Sequence, residues 1–110
     1  MNSNEDNWPF DQVRNCATFT IRQILEKEVP ILVVYHDLDD EGWQFLSNIE
    51  TKMEDAKLVS LESITKLDPS VFEVATIPPG YHAWRQTIEH DWIIEKTPQN
   101  GLPPFLLTGS

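Results

Sequence analysis

Residues 30–46 limit what this chain can fold into more than any other stretch. An apolar run, Ile31-Leu32-Val33-Val34-Tyr35, leads into an acidic break, His36-Asp37-Leu38-Asp39-Asp40-Glu41-Gly42, and Trp43-Gln44-Phe45-Leu46 follows directly. β-Branched and aromatic residues on both sides of an Asp- and Gly-rich break predict a β-hairpin. In that hairpin Gly42 supplies a positive φ, and the carboxylates face water. Trp43 and Phe45, two apart, share one side of a strand, and Trp84 is expected to join them across the sheet.

The rest of the chain is arranged around this hairpin. Residues 1–11 are polar except for Trp8-Pro9-Phe10 and read as loosely ordered. A strand is expected at about 15–21, followed by a short helical or irregular turn at 22–28. Residues 47–57 read as an exposed connection, residues 58–61 as a third strand, and residues 62–67 as a single helical turn. Asp68-Pro69 has the marks of a helix start, because the carboxylate can cap free N–H groups and Pro fits the first helical position. Pro78-Pro79-Gly80 ends that helix and turns the chain. Tyr81-His82-Ala83-Trp84-Arg85 alternates as a strand, and Trp92-Ile93-Ile94 forms one more. Residues 97–110, rich in Pro and Gly, are expected to be extended and mobile. Within them, Phe105-Leu106-Leu107 is placed to dock on the sheet or on a neighbouring chain.

Charge narrows the function classes. Eight Lys and Arg against 18 Asp and Glu leave a net charge of -10 in 110 residues. Such a surface repels phosphate backbones and anionic lipids, which argues against nucleic-acid and membrane partners, and it speeds encounter with a basic protein. No apolar run exceeds five residues, far short of the ~20 that cross a bilayer. One cysteine, Cys16, excludes an intramolecular disulfide and reads as a small buried hydrophobe suited to a reducing compartment. With no basic n-region or apolar h-region at the start, the expectation is a cytoplasmic single domain.

Candidate chemistry is sparse. Asp37, Asp39, Glu41 and Gly42 match the first positions of a calcium loop, but Asn48 at the twelfth cannot supply the closing bidentate carboxylate. His36, His82 and His90 share no metal-ligand spacing, so no metal or cofactor is expected. His36 reads as a partly exposed hairpin histidine. It and Asp37 are neighbours on a strand and point to opposite faces, which argues against an oriented general base. No nucleophile elbow, P-loop or dinucleotide fingerprint occurs, and no catalytic residue is assigned. Arg85 is expected to pair with a local acid or to stack on an aromatic ring. Trp8 and Trp92 lie in polar surroundings and read as interface residues.

Taken in order, Gly42-Trp43-Gln44-Phe45-Leu46, Leu58-Val59-Ser60-Leu61, Asp68-Pro69, Pro78-Pro79-Gly80 and Ala83-Trp84-Arg85 resemble a family of small bacterial domains of unknown function (the domain-of-unknown-function 2185 group). Some of its members are classed as immunity-protein-like, from polymorphic toxin systems. The resemblance spans about residues 15–92 and brings no catalytic residue with it.

The fold expected is α+β: a small, mainly antiparallel sheet with one or two helices on one face. The function expected is a non-enzymatic protein-interaction module that masks a basic partner, with Asp37, Asp39, Asp40, Glu41 and Trp92 as its contact residues. Homodimerisation is compatible with this. The alternative is a small-ligand or weakly enzymatic site around Tyr35, His36, His82 and Arg85.

Overall fold

β-Branched and aromatic residues from Thr18 to Ile21 build the first strand, β1 (Ala17–Ile21), which passes directly into a single helical turn, α1 (Arg22–Leu25). The computed structural model describes residues 8–98. The expectations for residues 1–7 and for 99–110, including Phe105-Leu106-Leu107, lie outside the described residues. The hairpin follows as β2 (Val33–His36) and β3 (Trp43–Leu46), paired antiparallel from Val33↔Leu46 to His36↔Trp43. Then come β4 (Ala56–Ser60), α2 (Leu61–Leu67), β5 (Tyr81–Trp84) and β6 (Ile93–Lys96). Two 3-10 segments, Met53–Asp55 and Pro69–Val74, complete the set among the described residues.

The six strands form one sheet in the order β4-β1-β3-β2-β5-β6. Among the described strands only the β1–β3 pair is parallel, meeting at Phe19↔Gln44. The α+β fold, with a mainly antiparallel sheet and short helices, is therefore present. Among the described residues no helix is long and apolar enough to cross a membrane.

Alternation along the strands divides the side chains between two faces. Val34, Phe45 and Ala83 stand opposite one another in the ladders and are fully buried, as are Leu61, Ile64, Val71 and Val74 of the helical segments. They form one core with Phe10 and Trp43. This is the helix face. The far face carries Val33, Tyr35, Gln44, Leu46, His82 and Trp84, with Phe19 and Leu58 on the outer strands.

Several expectations change at this level. Trp84 pairs with Val33 and so lies on the face opposite Trp43 and Phe45. The third strand starts earlier, at Ala56, and ends before Leu61. The Ser60 hydroxyl accepts from Ser63 N–H at 3.1 Å, which makes Leu61 the first helical residue, and it is buried. The helix then runs for seven residues, longer than the single turn read from the sequence. Asp68 does cap, its Oδ1 accepting from Ser70 N–H at 3.0 Å, but the segment after Pro69 is a 3-10 helix. Trp8 and Phe10 are not loose. Phe10 is buried with its ring edge-on to Trp43 at 5.2 Å, and Trp8 donates from Nε1 to Gln12 O.

Cys16 is half exposed, one residue ahead of β1, so it is not the buried hydrophobe expected. In the hairpin turn Glu41, not Gly42, has the positive φ, of 58°. Gly42 instead lies close to the Asp40 side chain: a Cβ there would meet Asp40 Oδ1, the oxygen that accepts from Gly42 N–H, at 3.1 Å.

Truncating Phe45 to Ala should cost about 3–5 kcal/mol, because the cavity opens in the centre of the covered face. Leu58→Ala, on an exposed edge-strand position, should change stability by less than about 0.5 kcal/mol. Urea unfolding of both variants checks this difference.

Candidate functional site

The parity of each strand decides where the candidate residues go. His36 and Arg85 lie on the helix face, whereas Tyr35, Asp37 and His82 lie on the far face. The four residues of the ligand-site expectation are therefore split two and two.

His36 is buried, not partly exposed, because it sits on the face that the 69–77 segment and Phe10 cover. Its ring stacks on Trp43 at 4.0 Å and 11°. Nδ1 lies 2.7 Å from Ile77 O, and a carbonyl only accepts, so Nδ1 carries the proton. The other ring nitrogen, Nε2, is buried without a partner among the described residues.

Arg85 extends β5 and turns its guanidinium inward. Nε and Nη2 donate to Ile31 O at 3.2 and 2.9 Å, and Nη2 also donates to Asp68 Oδ2 at 2.9 Å. Trp92 covers the guanidinium, its ring centroid 4.1 Å from Cζ, and donates its own Nε1–H to Ser70 O. Both sequence expectations for Arg85, an acid partner and an aromatic ring, are met in one cluster. Trp92, expected at an interface, is half-buried in this internal role.

The far face holds a different set. Tyr35 and His82 stack at 5.1 Å and 23°. His82 Nδ1 meets Thr97 Oγ1 at 2.9 Å, and Trp84 Nε1 donates to Glu95 at 3.2 Å. Gln44 donates from Nε2 to both oxygens of Asp37, at 2.9 and 3.1 Å, although only 2% of its surface is exposed. Its Oε1 is buried with no partner among the described residues. Burial raises the Asp37 carboxyl above the usual carboxylate range, with Gln44 opposing, and burial followed by the Asp37 charge raises Tyr35. Burial lowers His82, against the pull of Glu95.

Beyond Asp37 the turn projects outward. Asp39, Asp40 and Glu41 are all exposed, and Leu38 is 60% exposed. The loop lies between two strands, not between helices as in a calcium hand. Among the described residues no group of three or more His, Cys, Asp or Glu could hold a metal ion. Elsewhere, a groove of about 600 Å³ opens between α1, the end of α2 and residues 86–88, lined by Ile24, Ile31, Leu67 and Ile88 together with Lys27 and Asp68.

Sequence reasoning missed Gln44, Glu95 and Asp68 as partners. The signal for Gln44 was present: it is the one polar position inside the Trp43–Leu46 strand and shares strand parity with Tyr35 once the hairpin is registered.

Asp68→Ala removes both the counter-charge of Arg85 and a cap, and should cost about 3 kcal/mol in urea unfolding. For His82 the folded-state pKa lies below the unfolded value, so the unfolded chain binds more protons and stability falls as pH drops below about 6.5. Thermal unfolding between pH 7.5 and 5 should therefore fall less steeply in His82→Gln than in wild type.

No protein-family model matches the chain, and no curated protein or solved structure matches it either.

Proposed function

We propose that this domain is a non-enzymatic protein-interaction module whose acidic hairpin turn and adjoining sheet face receive a basic partner. The observation that carries the reading is the junction of two surfaces. Asp39, Asp40 and Glu41 stand exposed at the end of the hairpin, and Asp37 links that turn to a face bearing Tyr35, His82 and Trp84. Aromatic side chains beside a charged rim are the usual make-up of a binding surface, where the rings supply contact area and the rim supplies steering. The net charge of -10 adds long-range attraction for a basic protein. Masking a toxin, as the immunity-like resemblance implies, is one form that such binding takes. A cytoplasmic, bacterial setting belongs to the same proposal.

The groove beside Lys27 and Asp68 favours a second reading, a small ligand, since about 600 Å³ falls within the range of ligand pockets. Its walls do not include Tyr35, His36 or His82, so it is a separate site from the one expected around those residues and Arg85.

Capture from a lysate at low and at high salt tests the first reading. One stoichiometric basic protein should be retained at low salt and released at high salt. The Asp39→Asn/Asp40→Asn/Glu41→Gln variant should lose at least about tenfold in affinity. Retention that ignores both salt and these charges would refute it.

A further inference from the structure

The helical segments bury Leu61, Ile64, Val71 and Val74 together with Phe45, on one side of the sheet. The far face, by contrast, leaves Leu58 63% and Phe19 43% exposed, and the β1–β4 register sets these two side by side. We propose that the chain's own segment 99–110 crosses this face as a strap and seats Phe105-Leu106-Leu107 on Phe19 and Leu58.

The first support is where the described chain ends. Thr97 N–H donates to Gly80 O at 2.8 Å, and Thr97 Oγ1 meets His82 Nδ1 at 2.9 Å on the far face. The backbone is thus delivered to this face, at the β6 edge of the sheet, two residues before position 99.

The second is reach. From β6 to β1 the sheet order counts four strand spacings, about 19 Å in all, and β4 lies one spacing further. Phe105 follows Thr97 by eight residues, and Pro98, Pro103 and Pro104 favour an extended chain of ~3.1 Å per residue. Its span is then about 25 Å, which reaches Phe19 on β1, and Leu106 and Leu107 carry on to Leu58 on β4. Proline has no N–H to donate, so such a segment is held by side-chain contact across the strands, not as a further strand of the ladder.

The third is chemistry. Residues 97–110 contain no Asp, Glu, Lys or Arg, in a chain that is 24% charged, and their large side chains are Leu102, Phe105, Leu106 and Leu107. A second copy of the domain would bring a further net charge of -10 to the same surface, and that repulsion opposes it. The tethered segment brings none, and its short linker holds it at an effective concentration on the order of millimolar. The strap does not depend on a partner, but a protein that used this face would have to displace it first.

Cys16, the one cysteine of the chain, is half exposed and lies one residue ahead of β1. A nitroxide attached there reports on the Phe19 end of the face. In the full chain it should broaden the amide resonances of residues 105–108, and reducing the nitroxide should restore them. Leu58→Asp, at an exposed edge position, should remove most of that broadening with the circular dichroism spectrum unchanged. The Phe105→Ser/Leu106→Ser/Leu107→Ser variant should do the same.

Absence of broadening at 105–108, or broadening that survives both variants, would overturn the proposal. A mixture of nitroxide-bearing chain with isotope-labelled chain free of nitroxide separates the occupants. No broadening is expected in the isotope-labelled chain; broadening there would seat the segment on a second copy and overturn the strap.

Discussion

The guanidinium of Arg85 is where the separate parts of this domain meet. It holds the carbonyl of Ile31, just before β2, and the carboxylate of Asp68, at the junction of α2 and the 3-10 segment, while Trp92 closes over it ahead of β6. Asp68 in turn uses its other oxygen to start the 3-10 segment at Ser70. One side chain thus fixes the sheet, the helical layer and the last connection relative to one another. A buried charge is tolerated only when paired and hydrogen-bonded, which requires all these partners to be in place together. Because Trp92 donates to Ser70 O, the β5–β6 connection is tied to the same point from outside.

A second constraint is the strict alternation of the hairpin. His36 and Asp37 are adjacent, yet one is sealed against Trp43 and the other bonds to Gln44 on the opposite face. A shift of one residue in register would bury the carboxylate in the helix-side core and expose Val34 and Phe45. The polar array of the far face and the apolar core are therefore two consequences of one register.

Much of the fold was legible because local signals agreed with one another. The hairpin, the strand before α1, the Asp68 cap and the Pro-Pro-Gly turn each rest on residues whose preference the tertiary structure did not override. The errors came where the outcome depended on distant residues. His36 is buried because the 69–77 segment crosses over it, and no feature of residues 30–46 announces that crossing. Trp84 falls on the far face through its pairing with Val33, which only the β2–β5 register defines. Trp8 and Trp92 look polar in their sequence neighbourhoods, but each finds a cation or a carbonyl inside the domain. The acidic turn was readable as a surface feature. The Asp37–Gln44–Tyr35 grouping was not, since it requires two strands to be set side by side.

The sheet order β4-β1-β3-β2-β5-β6 places the hairpin in the middle, with two strands added on each flank. The hairpin's own pairing joins residues close in sequence, whereas β2–β5 pairing closes a loop from His36 to Tyr81 and β1–β3 pairing joins Phe19 to Gln44. Loop-closure entropy favours the near contact first, so the hairpin acts as the template on which both flanks condense. One flank is locked by buried threonine hydroxyls, Thr18 to Val59 O and Thr20 to Phe45 O, and the other by Arg85. The β5–β6 flank ends in a strand whose four residues are all exposed, so among the described strands its pairing has the least burial to hold it in place.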